Sequence, residues 1–109
     1  MHEISLAQQI DRIASSRAKS LGYARAKVVR VRLGAWSCAN PDLLKRAFQA
    51  LPQTQDAILE VEVVEPECIC GDCGSRFHPQ SFRMTCESCG SRKVTLKQGK
   101  ELDLYSIEV

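Results

Sequence analysis

Apolar positions along the chain change period three times, and each change marks an element. From Ser5 to Leu21, Leu6, Ile10, Ile13, Ala14 and Leu21 recur at helical spacing. The expected helix starts at Ser5, or a residue or two earlier, with Ser5 and Gln8 placed as a capping box. Gly22 is its C-terminal stop. In KVVRVRLG, Val29, Val31 and Leu33 then alternate with Arg30 and Arg32, the period of a half-buried strand. Asn40-Pro41-Asp42 reads as a helix start, with Asn as cap and Pro in the first turn. Leu43, Leu44, Ala47, Phe48 and Leu51 give that helix an apolar face, and Pro52 closes it.

A second alternating strand follows in ILEVEVVE, with Leu59, Val61 and Val63 on one side and Glu60 and Glu62 on the other. If the two strands are neighbours, the arginines of the first meet the glutamates of the second, and the charges form a solvated sheet face. In ELDLYSIEV the alternation shifts phase between Leu104 and Ile107, which predicts a bulge or a strand buried on both faces. Between Glu67 and Gln98 the periodicity gives way to cysteines, glycines, serines and turns. The expectation is an α+β fold: a small mixed sheet with two helices, carrying an inserted zinc-ribbon-like domain. Residues 1–65 together with 99–109 make the first domain and 66–98 the second.

Composition narrows the function classes. The chain has 109 residues, 44% of them hydrophobic and 26% charged, an ordinary globular mixture with room for a modest core. The formal charge is +2, too small to argue for nucleic acid by itself. No apolar run approaches the roughly 20 residues that span a bilayer, and the start lacks a secretory pattern. A cytoplasmic, soluble protein without a membrane partner is expected. In a reducing compartment six cysteines point to metal ligands or spectators rather than disulfides.

Cys70-Gly-Asp-Cys73 and Cys86-Glu-Ser-Cys89 supply the strongest signal. Each C-x2-C sets two thiolates on one tight turn, and two such turns complete a tetrahedral S4 site suited to zinc. A segment of about 33 residues buries too little apolar surface to fold alone, so metal binding supplies its folding free energy. Four thiolates leave no open coordination position, which makes the zinc structural. Bound zinc also brings the net charge to about zero. Cys68 and Cys38 are expected to be spectators, Cys38 as a small buried hydrophobe. His78 reads as an exposed loop histidine.

The opening Met1-His2-Glu3 offers a second donor set. The Met1 amine, the His2 backbone nitrogen and the His2 imidazole can close two chelate rings around one ion, and Glu3 can add a backbone nitrogen or carboxylate. Nitrogen donors in a plane favour Ni(II) or Cu(II). The first amides of a helix have no intrahelical partner, so giving one up breaks no ladder bond. With an amine titrating near ~7.7–8.0 and an imidazole near ~6.5, acid should release the ion. Taken alone, the three residues are equally an exposed terminus, with Glu3 favoured by the helix dipole.

MHEISL, LGAWSC, RAFQAL, the paired knuckles and the closing GKELDLYSIEV together resemble the hydrogenase maturation nickel metallochaperones of the HypA/HybF family, over nearly the full chain. The resemblance implies a carrier, not an enzyme. It binds nickel at Met1, His2 and Glu3, holds structural zinc at Cys70, Cys73, Cys86 and Cys89, and delivers nickel to the large subunit of [NiFe]-hydrogenase. It also implies the GTPase HypB as a partner and, because some members serve urease, urease maturation factors. Glu87 stands where many relatives have proline, and the PQTQDAIL connection is shorter than usual. A competing reading is a zinc-ribbon nucleic-acid module built on Arg76, Arg83, Arg92, Lys93, Lys97, Lys100, Phe77 and Phe82. The near-zero metallated charge, Asp72, Glu87 and the acidic strand speak against it. No Ser-His-Asp set, phosphate loop or H-E-x-x-H supports an enzyme.

Overall fold

The computed structural model describes residues 2–109, with side chains from Glu3 onward. Helix α1 (His2–Ser20) leads into strand β1 (Val28–Gly34) and helix α2 (Pro41–Ala50), followed by a short 3-10 turn at Pro52–Thr54 and strand β2 (Ile58–Val64). Strands β3 (Glu67–Cys70), β4 (Arg76–Phe77) and β5 (Val94–Gln98) come next, and β6 (Leu102–Glu108) ends the chain. They form two separate three-stranded sheets, ordered β2-β1-β6 and β4-β3-β5. The first is mixed, with β1 parallel to β2 and antiparallel to β6. The second is antiparallel.

Complementary charge matches the central pairing of the first sheet. Arg30 lies opposite Glu60 and Arg32 opposite Glu62. The Arg30 Nε donates to Glu60 at 2.7 Å and the Arg32 Nε to Glu62 at 3.5 Å. Arg30 also meets Glu108 of β6, and these two carboxylates raise its pKa, Glu108 foremost. The phase change in the last strand is a bulge. Arg30 pairs with Ser106 but Val31 with Leu104, leaving Tyr105 as the extra residue. Its ring lies under the Arg32 guanidinium, 4.4 Å from Cζ to centroid, a cation–π contact.

Both helices cover the opposite face. Ala7, Ile10, Ala14 and Ala18 of α1, with Leu44 and Phe48 of α2, pack on Val29, Val31, Leu33 and Leu59. This corrects the expected face of α1. Ile13 and Leu21 are 47% and 61% exposed, while three alanines are buried, since small side chains let the helix lie close to the sheet. The helix also starts earlier than Ser5, at His2, so Ser5 lies inside it and caps nothing. Glu3 in the first turn suits the helix dipole. Gly22, at φ +88°, ends the helix as a Schellman turn: its amide bonds the Lys19 carbonyl and that of Tyr23 bonds Ala18.

Asn40 caps α2 as expected, its side chain accepting from the Leu43 amide at 3.1 Å. Leu43, however, is 47% exposed, outside the buried stripe of Leu44 and Phe48. Val63, expected to face inward, is exposed as well, because β2 is an edge strand and the buried cluster ends before that residue. No helix among the described residues is long and apolar enough to cross a membrane.

The second sheet has its own small core of Cys68, Cys70, Phe77 and Cys86, flanked by Met84, Val94 and Leu96. The two sheets meet at a tight junction. The Gly34 amide bonds the Glu101 carbonyl at 2.7 Å, Ala35 bonds Val64 at 2.9 Å and Trp36 bonds Gly99 at 2.7 Å. A Cβ on Gly34 would overlap the backbone of Gly99, and one on Gly99 would lie 2.7 Å from Pro66 Cα. Gly99 is at φ +125°, so it must be glycine on both counts.

Candidate metal centre

Two nearly identical turns build the centre, CGDCGS and CESCGS. In the first, the Cys70 amide bonds the Ser75 carbonyl at 2.9 Å and the Gly74 amide bonds Cys70 at 3.0 Å. In the second, Cys86 bonds Ser91 and Gly90 bonds Cys86 at the same two distances. Gly74 and Gly90 take φ of +75° and +74°, a conformation that costs other residues free energy. Strand β3 delivers Cys70 and a Gly71-to-Lys93 bond of 2.7 Å ties the first turn to the entry of β5.

The turns interleave their thiols. Cys70 Sγ stands 3.6 Å from Cys89 Sγ, and Cys73 Sγ 3.6 Å from Cys86 Sγ. All four sulfurs lie within 4.8 Å of one another. A tetrahedral ZnS4 unit with Zn–S near 2.3 Å needs S···S edges of about 3.8 Å, so the donor set fits zinc. Backbone amides prepare it for thiolate charge. Cys73 N–H and Asp72 N–H point at Cys70 Sγ, at 3.5 and 3.4 Å, and chiefly the Cys73 amide lowers that thiol to about 6. The Cys89 and Ser88 amides lower Cys86 similarly. The other two thiols carry the repulsion. The Ser91 amide pulls Cys89 down, but Cys70, burial and its remaining neighbours push it up to about 12. The Ser75 amide pulls Cys73 down, but Cys86, burial and Cys70 outweigh it and raise the thiol.

Cys68 is no ligand. It is fully buried in the small core, its thiol 3.8 Å from Met84 Sδ, and burial raises its pKa. Cys38 overturns its expectation. It is exposed at φ +70°, because the Ser37-to-Gly34 bond closes a turn after β1 that leaves it outside the core. His78 is exposed as expected, but its Nδ1–H donates to the Pro66 carbonyl at 2.8 Å, pinning the loop between the knuckles to the junction. Of the residues behind the nucleic-acid reading, Phe77 is in the core, Arg76 pairs with Glu67 and Lys93 with Asp72. Phe82 faces Trp36 across the junction.

Met1, and the side chain of His2, lie outside the described residues. Glu3 is the described member of the terminal motif, and its carboxylate accepts the Asn40 amide at 3.3 Å. The first turn of α1 is thereby tied to the start of α2. Periodicity could not show this contact, nor that of Trp36 with Phe82, since each joins residues far apart in the chain. Neither could it show Asp11, 9% exposed on α1, which gathers Ser15, Arg25 and Gln53 at 3.0–3.3 Å.

A helix-covered mixed sheet joined to an S4 centre on its own small sheet defines a two-sheet α+β zinc protein. Its whole length, residues 1–109, matches the family described as "Hydrogenase/urease nickel incorporation, metallochaperone, hypA". The chain belongs to the HypA family. It is 34% identical to the hydrogenase maturation factor HypA of Helicobacter hepaticus, covering 100% of this chain and 97% of that one. To the same factor of Moorella thermoacetica it is 33% identical, over 99% and 100%. A solution structure of a HypA protein superimposes with a TM-score of 0.73 at 30% identity, covering 99% of this chain and 95% of that one. The nickel metallochaperone HypA of Helicobacter pylori gives 0.67 at 29%, covering 97% and 95%. The family is one of hydrogenase maturation factors, not of enzymes.

Proposed function

We propose that this protein binds Ni(II) through the Met1 amine and His2, with Glu3 as a further donor, and delivers it in the cytoplasm to the large subunit of [NiFe]-hydrogenase. The GTPase HypB is the partner that supplies nucleotide hydrolysis, and urease maturation factors are a second set of clients. Zinc at Cys70, Cys73, Cys86 and Cys89 holds residues 66–98 as a domain of their own, beside the domain of residues 1–65 and 99–109. Full-length membership of a nickel metallochaperone family supports the reading. The observation that carries the site is the start of α1 at His2: amides of a first turn have no intrahelical acceptor, so a backbone nitrogen is available to a metal at little structural cost.

Nickel titration of untagged protein, of His2→Ala and of a variant with residues added before Met1 tests this. Tight nickel binding should be lost in both variants while zinc content stays unchanged. Unaltered nickel affinity in either would sink the site.

A further inference from the structure

Most arginines of this chain have acceptors. Arg17 donates to the Leu104 carbonyl, Arg25 to Asp11, Arg30 to Glu60 and Glu108, Arg32 to Glu62, and Arg76 to Glu67. Arg12, Arg46, Arg83 and Arg92 have none among the described residues. The first two stand on the outer faces of α1 and α2. The last two share a cleft: Arg83 and Arg92, with Met84, Thr85 and Gly90, line a space of about 630 Å3.

Both walls of that cleft are held. Arg83 N–H bonds Ser81 Oγ at 3.3 Å and Thr85 N–H bonds the Arg83 carbonyl at 3.1 Å. On the other side Gly90 N–H bonds Cys86 and Val94 N–H bonds the Arg92 carbonyl at 2.9 Å. Arg92 follows directly on the second zinc knuckle, and Arg83 precedes the first cysteine of that knuckle by three residues. Two guanidinium forks lining one cleft suit paired carboxylates, each of which an Arg binds with two parallel hydrogen bonds.

We propose that the Arg83–Arg92 cleft is a docking site for a carboxylate-rich segment of a partner protein. Charge complementarity favours an acidic peptide over nucleic acid. Base stacking along a strand needs a run of aromatic platforms, whereas Phe77 is buried and Phe82, 77% exposed beside Trp36, is a single ring. A zinc tetrathiolate, Asp72 and Glu87 on the same unit repel a continuous polyanion, while a short acidic stretch need only reach the two forks. The site uses no residue of the terminal nickel motif, so it stands or falls separately from the nickel reading.

Fluorescence anisotropy of a labelled four-glutamate peptide with the zinc-loaded full chain at low salt is the test. Arg83→Ala with Arg92→Ala should weaken binding at least tenfold, and Lys45→Ala with Arg46→Ala, a basic pair on α2, less than twofold. Lysine at both cleft positions should recover part of the affinity but not all, because charge remains and the fork is lost. Equal loss in the α2 variant overturns the proposal, as does tighter binding of a ten-nucleotide thymidine strand or full displacement by millimolar inorganic phosphate. If the alanine variant loses zinc, amide shifts in the unaltered protein decide: the peptide must move residues 83–85 and 90–92, and shifts confined elsewhere overturn it.

Discussion

Trp36 and Phe82 face each other with ring centroids 4.6 Å apart and planes tilted by 40°. One follows the central strand of the first sheet and the other lies in the loop between the zinc knuckles. Trp36 is the only tryptophan in the chain, so its emission reports this contact without a label. Chelating zinc should red-shift it as residues 66–98 lose their order. Phe82→Ala with zinc bound should give a smaller shift in the same direction. Constant emission in both experiments would mean that the rings do not meet in solution.

Gly34→Ala should damage the junction itself. Its methyl has only the Gly99 backbone to occupy, so overpacking of about 1–3 kcal/mol is expected. Chemical denaturation measures the cost, and the Trp36 emission of the folded variant shows whether the sheets have separated. An Ala of wild-type stability would show that the two backbones part easily.

The six thiols should divide sharply on alkylation of zinc-loaded protein. Cys38 is exposed and outside the centre, so mass spectrometry should find a single adduct there. Cys68 is protected by burial and a raised pKa. A chelator should then open Cys70, Cys73, Cys86 and Cys89. Early labelling of any of these four with zinc retained would contradict the S4 assignment.

At the start of α2, Asn40→Ala should cost about 0.5–2 kcal/mol through the lost cap, and Asn40→Gly only a few tenths. Equal losses in thermal unfolding would locate the effect elsewhere, since the Asn40 amide that holds Glu3 is present in both.

What could be read from the chain was whatever is local or repeated. The knuckles were legible because spacing, glycine and sulfur chemistry sit within six residues; the crosswise pairing of Cys70 with Cys89 and Cys73 with Cys86 was not. The partnership of β1 with β2 was legible as arginine against glutamate, and the bulge at Tyr105 as a slip in alternation. Depth was hidden. Hydropathy favours Ile13 and Leu21 over Ala7 and Ala18, yet close approach of helix and sheet selects the alanines. Cys38 misled for the same reason: residue type reports an average burial, and a turn after Gly34 overrode it.

Residues 65–101 connect β2 to β6, which flank β1 on opposite sides. As a slack connection they would oppose the return of β6 by the entropy of closing a long loop. With β3 and β5 paired, Glu67 lies beside Gln98 and the connection shrinks to the few residues at its base. Closure cost grows with the logarithm of length, at about 0.6 kcal/mol per doubling, so roughly three halvings are worth about 2 kcal/mol. Zinc captured by four cysteines would thus lend stability to a sheet that it never touches.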